Sequence, residues 1–137
     1  MSTPFVVDNS VVMGWCFSDQ GPGDKWGLLD RLKAHGALAP SVFPLELGNV
    51  LIVAERRKKL TRADAEHFLS LVRALPIRIE AEPVARQWGE VMALARQFTL
   101  STYDASYLDL AMRSGLPLAT TDDSLRKAAK AGRVELI

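Results

Sequence analysis

The chain has 137 residues, 48% hydrophobic and 24% charged, with 17 Lys and Arg against 16 Asp and Glu and a formal net charge of +1. This composition excludes a disordered or low-complexity protein and supports a buried core within one domain spanning 1–137. Near-neutrality excludes a general polyanion binder held by charge alone, although a local basic rim can coexist with an acidic site. The single cysteine, Cys16, excludes an internal disulfide and a cysteine-rich zinc centre, and it suits a reducing cytoplasm. The N-terminus lacks a positive segment, Asp8 interrupts its apolar run, and no stretch is apolar for long enough to span a bilayer. A cytoplasmic protein with no membrane partner is expected.

In chain order, Phe5, Val6 and Val7 read as a buried strand, and a short helix follows over 10–16. Residues 18–24, Ser-Asp-Gln-Gly-Pro-Gly-Asp, form the clearest loop. A helix is expected over 26–34, stopped near His35 and Gly36, then a weak strand at Ala37, Leu38 and Ala39 stopped by Pro40. Residues 42–59 read mostly as one long helix, with Leu47, Val50, Leu51 and Ala54 at helical spacing. Pro44 is tolerated only in a first turn, so this helix starts close to it. Thr61 and Asp64 approximate a capping box for a helix whose apolar face is Ala65, Phe68, Leu69 and Val72. Residues 76–80 alternate like a strand. Trp88, Val91, Met92, Ala95 and Phe98 mark one face of the next helix, and 103–113 is helical up to Gly115. A strand over 116–120, a helix over 124–131 and a last strand over 134–137 complete the chain. Such alternation predicts an α/β fold, a mostly parallel sheet flanked by helices on both faces. Ligands bind beyond the carboxyl ends of such strands.

Four acids sit on apolar segments where folding has little use for them: Asp8, Glu46, Asp104 and Asp122. Isolated acids there are costly unless charge or hydrogen bonds compensate them, and one hard divalent cation would compensate all four together. Each has a plainer reading. Asp8 could cap the short helix, Asp104 could complete a capping box with Ser101, and Asp122 could cap the helix after it. Glu46 could simply suit a helix dipole. These readings weaken when all must hold at once. Asp8 and Asp122 each close a strand, whereas Glu46 and Asp104 stand near helix starts, which crowd the same rim.

The motifs around them add detail. Asp8 begins Asp-x-Ser with Ser10, Glu46 shares a helix face with Asn49, Asp104 lies in Tyr-Asp-Ala-Ser-Tyr-Leu, and Asp122 ends Thr-Thr-Asp after Thr120. In this order and at this length, the set resembles the PIN domain, most closely the VapC-type toxin ribonucleases of toxin–antitoxin pairs. The resemblance covers nearly the whole chain and implies a PIN-like three-layer α/β/α fold. It implies metal-binding and catalytic roles for Asp8, Glu46, Asp104 and Asp122, with Ser10, Asn49 and Thr120 in support. Asp123 adjoins Asp122 and could take its place, but Asp122 fits the Thr-x-Asp pattern. The resemblance further implies a homodimer and a cognate antitoxin.

An oxygen-only site suits Mg2+ or Mn2+, one or two ions, rather than Zn2+. His35 and His67 lack partners at ligand spacing and read as surface or packing residues. Two carboxylates about 4 Å apart repel by roughly 4 kcal/mol at an effective dielectric of about 20, so a cation is expected to order the site. The expected reaction is hydrolysis of an RNA phosphodiester, with metal activating water and stabilising the developing charge. Basic residues 56–59 end a helix and suit its dipole. Arg126, Lys127, Lys130 and Arg133 form a second basic cluster, a candidate for RNA contact near the Asp122 rim. Trp15, Trp26 and Trp88 read as core or interface anchors rather than base-stacking groups. Two other functions compete: a catalytically silent module binding RNA or protein, and a phosphatase-like acidic hydrolase. In the second, Ser10 stands where a second Asp is usual.

Overall fold

The computed structural model describes residues 3–17 and 25–137; the loop expected at 18–24 lies outside them. Its centre is set by short runs of small and branched apolar residues. Phe5–Val7 (β1) and Ala37–Pro40 (β2) are buried at every position, as strands covered on both faces of a parallel sheet must be. Ile77–Glu80 (β3) is only half-buried, and Leu118–Ala119 (β4) is buried again. The strands pair in parallel in the order β3-β2-β1-β4, with Val6 opposite both Leu38 and Leu118. The chain steps outward from β1 through β2 to β3, then returns to place β4 on the other side of β1. The carboxyl ends of β1 and β4 therefore flank the point where strand order reverses, where ligands of such sheets bind.

Helices cover both faces: Asn9–Cys16 (α1), Lys25–His35 (α2), Phe43–Arg56 (α3), Arg62–Arg73 (α4), Val84–Arg86 (α5), Met92–Phe98 (α6), Thr102–Ser114 (α7) and Asp123–Ala131 (α8). Their ends obey local chemistry. Gly36 takes φ +80° after α2. Thr61 and Asp64 form a full capping box at α4. Ser101 caps α7, and Gly115 closes it in the left-handed region. α7 is the central helix, with residues 105–111 all buried and contacts to β1, β2 and β4. Among the described residues, no helix is long and apolar enough to cross a membrane.

Several expectations change. α3 has its proline in the first turn as expected but stops at Arg56, because the chain turns through Lys58 at φ +58°. Pro40 belongs to β2, opposite Glu80, rather than stopping it. The strand expected over 116–120 shrinks to two residues, and the one over 134–137 to a single parallel bridge, Leu118 to Leu136. The helical face drawn from Trp88 to Phe98 is broken by a π turn, Gln87–Val91. Its extra residue rotates the turn before it relative to the turn after it. Val91 is thus 2% exposed and Trp88 73%. Trp26 is likewise exposed, so neither anchors the core, while Trp15 is half-buried and its indole N–H donates to the Lys25 carbonyl at 2.7 Å. His35 and His67 are exposed, as expected.

Gly115 sets the turn from α7 into β4 at φ +65°. A Cβ there meets no neighbour but forces an unfavourable backbone. Gly115→Ala is expected to destabilise by about 1 kcal/mol, lowering the melting temperature by roughly 2–6 °C in a thermal scan.

Candidate acidic site at the strand-order reversal

Asp8 is 5% exposed at the end of β1, and its N–H donates to the Ala119 carbonyl of β4 at 3.0 Å. It occupies the N-cap position of α1, yet its side chain does not cap that helix. Instead Oδ2 accepts two hydroxyl protons, from Ser10 Oγ and Thr120 Oγ1, each at 2.7 Å. Ser10 Oγ in turn accepts from the Thr121 N–H, and Thr120 Oγ1 from the Asp122 N–H, both at 3.0 Å. A hydroxyl has one proton to give, so both are committed to Asp8 and their backbone partners fix their direction. This clamp joins β1 to the residues after β4 and leaves Asp8 Oδ1 without a side-chain donor among the described residues.

The other acids come from helix starts. Asp122 does cap α8, its Oδ2 accepting from the Leu125 N–H at 2.9 Å. Arg126 donates to the Thr120 carbonyl at 2.9 Å, bracing the same strand end. Glu46 sits half-buried in the first turn of α3, and Oε1 accepts from the Tyr107 hydroxyl at 2.6 Å. Tyr107 is fully buried; burial first, then the Glu46 bond, pushes its ionisation far above a phenol's ordinary range, so it remains a donor. Asp104 lies half-buried in the first turn of α7, where its N–H donates to Ser101 Oγ at 3.0 Å. That contact is the Ser101 half of a capping box.

The acids act on one another. Burial pushes the Asp8 carboxyl up, opposed by the Thr120 and Ser10 hydroxyls and the Asn9 N–H, and the charge of Asp122 adds to the rise. Glu46 is raised by burial against the Tyr107 bond, then by Asp8 and Asp104. Asp104 is raised by burial, then by Asp8 and Asp122. Four acids from four parts of the chain thus share one electrostatic field. They do not share one bond length. Among the described residues, no three acid, His or Cys side chains come close enough to hold one ion as they stand. Both observations hold because Coulomb repulsion reaches well beyond a metal–oxygen bond of about 2–2.6 Å. The donor set, all oxygen and mutually repelling, fits a hard divalent cation in chemistry; ligation by three of them needs side-chain rotation.

Other expected residues separate. Asp122, rather than Asp123, acts on Asp8 and Asp104; Asp123 is exposed. Asn49 is exposed on α3 and makes no hydrogen bond to the acids. Lys127, Lys130 and Arg133 are exposed, but a nine-residue α8 is about 13 Å long. Arg133 follows the far end of α8, whereas Asp122 caps its start. Two features escape a reading of the sequence. Tyr107 looks like a plain core position, although a buried tyrosine needs a partner for its hydroxyl. Asp109 lies within the buried run of α7 with Arg113 four residues on, a spacing that signals an ion pair.

A parallel α/β sheet with a buried, clamped aspartate and three further acids at its strand-order reversal defines an acidic, metal-compatible α/β domain. The PIN domain family model matches residues 5–131, and the chain belongs to that family. Its structure is similar to the crystal structure of PAE2754 from Pyrobaculum aerophilum, with a TM-score of 0.71 and 27% identity over 93% of this chain and 86% of that one. No match was found among curated proteins. PIN domains are generally metal-dependent nucleases that use divalent ions such as Mg2+ or Mn2+.

With chelator present, Asp104→Asn is expected to raise the melting temperature by relieving repulsion from Asp8 and Asp122. Tyr107→Phe is expected to lower stability by about 1.5–3 kcal/mol, the worth of a hydrogen bond to a charged group. Thermal scans in EDTA check both; the opposite order of stabilities would contradict the contacts described.

Proposed function

We propose that the chain is a metal-dependent endoribonuclease, acting as one domain over 1–137, and the toxin of a type II toxin–antitoxin pair. The observation that carries this reading is the common field of Asp8, Glu46, Asp104 and Asp122 at the reversal of strand order. In this reading the four acids hold one or two Mg2+ or Mn2+ ions. A bound ion supplies Lewis acidity and favours an activated water for attack on the phosphodiester. The chain's own residues do the holding. Ser10 and Thr120 fix the Asp8 carboxylate, Tyr107 fixes one oxygen of Glu46, and Arg126 steadies the strand end that leads to Asp122. Asn49 and Asp123 are exposed, and we assign them supporting polar roles beside Glu46 and Asp122 in sequence. A cognate antitoxin and a second copy of the chain are the proposed protein partners, and the cytoplasm the proposed compartment.

The unclosed spacing of the acids favours one second reading, a PIN-like module that binds RNA or protein without cutting. Incubation of the purified chain with structured RNA separates them. Cleavage is expected with Mn2+ and none with EDTA, and Asp8→Asn or Asp104→Asn is expected to abolish it while circular dichroism stays native. RNA binding without cleavage under every metal condition selects the silent module, and full activity in both variants removes the metal-site reading. We assign phosphate contact to Lys127 and Lys130, with Arg126 partly engaged by Thr120 and Arg133 more distant. Reversing the charge of both lysines should reduce the slope of log affinity against log salt by roughly 0.7–0.9 per lost contact. An unchanged slope excludes them.

A further inference from the structure

Two carboxylates outside the acidic site are also buried: the side chains of Glu82 and Asp109 are 2% and 3% exposed. A continuous series of contacts links them. Arg86 of α5 grips Asp109 of α7 with two parallel bonds, Nε to Oδ2 and Nη2 to Oδ1, both 2.8 Å. Arg113, one turn further along α7, donates from Nε to Asp109 Oδ2 at 3.2 Å. Its Nη2 lies 3.6 Å from Glu82 Oε1, an oxygen with no hydrogen bond of its own. Glu82 Oε2 accepts from Ser41 Oγ at 2.7 Å. Two cations face two anions, so the cluster is neutral in itself.

Buried ion clusters are weak support for stability, since apolar residues of similar volume often serve as well. What they supply is direction, because a bidentate guanidinium–carboxylate pair accepts only a narrow geometry. The ends of this series indicate its use. Ser41 stands just before α3, whose first turn carries Glu46. Asp109 and Arg113 lie on α7, whose first turn carries Asp104 and whose Tyr107 holds Glu46. Glu46 and Asp104 are like charges, one in the first turn of each helix, so their spacing depends on what ties α3 to α7.

We propose that Ser41, Glu82, Arg113, Asp109 and Arg86 form a positioning strap that ties the turn before α3 to α7 and so sets the spacing from which Glu46 and Asp104 act on one cation. The proposal rests on reading the acids as a metal site, but its residues hydrogen-bond to none of the four. Its test is calorimetric titration of Mn2+ into the full chain, for wild type, Ser41→Ala, Ser41→Thr and Glu82→Gln. Glutamine keeps an acceptor for Ser41 and loses the charge facing Arg113. Ser41→Ala and Glu82→Gln are expected to weaken Mn2+ binding severalfold, less than the roughly tenfold to hundredfold loss seen for partners that bond a metal ligand directly. kcat for a structured RNA should fall with KM unchanged, and Ser41→Thr should restore both. Ser41 is exposed, so Ser41→Ala decides the matter even if Glu82→Gln fails to fold. A wild type that takes up no Mn2+ removes the metal-site reading itself. A wild type that binds Mn2+, alongside a Ser41→Ala chain that binds it equally well, overturns the strap alone.

Discussion

A carboxylate with 5% of its surface exposed is an expensive thing to leave at the end of a buried strand. The fold tolerates it through two hydroxyls brought from opposite ends of the sequence onto one oxygen, Ser10 from the start of α1 and Thr120 from the end of β4. Much else is arranged so that this contact can exist. β1 and β4 must be neighbours and parallel, which sets the reversal of strand order. Gly115 must turn α7 into β4, and Arg126 must brace the Thr120 carbonyl. The same hydroxyls that make the charge bearable oppose burial, which raises the affinity of Asp8 for a proton.

The strand ends and helix starts were legible because the acids on them break apolar patterns. Asp8 after Phe5–Val7 and Asp122 after Thr120 are visible as polar punctuation at positions where a parallel sheet presents ligands. The cap at Thr61 and the stop at Gly115 were also readable, since each depends on a few adjacent residues. What the sequence concealed depends on distance or on phase. Arg86 is 23 residues from Asp109 and Ser41 is 41 from Glu82, so no local spacing links either pair. Tyr107 reads as one more core residue until the direction of its hydroxyl is known. The π turn leaves the apolar pattern from Val91 to Phe98 intact and shifts only its relation to Trp88, which periodicity alone does not reveal.

The acidic rim and the ion cluster behind it divide electrostatic labour. One gathers like charges, which destabilise a metal-free fold, in the manner of sites kept for function rather than stability. The other pairs opposite charges among α5, α7 and Glu82, which precedes α5. α7 belongs to both, since Asp104 and Tyr107 face the rim and Asp109 and Arg113 face the cluster. A helix buried over most of its length is a stiff support for two such groups.

The separation of 112 residues between Asp8 and Thr120 also orders events in time. A growing polypeptide can pair β1 with β2 early, because the two are close in sequence, but the aspartate remains unclamped until β4 has emerged and docked against the other edge of β1. Contacts of such long range form late and slowly. Nascent or truncated chains lacking β4 therefore leave the carboxylate with Ser10 as its one hydroxyl partner on an open strand edge, and whatever chemistry the finished rim performs is withheld until translation has passed it.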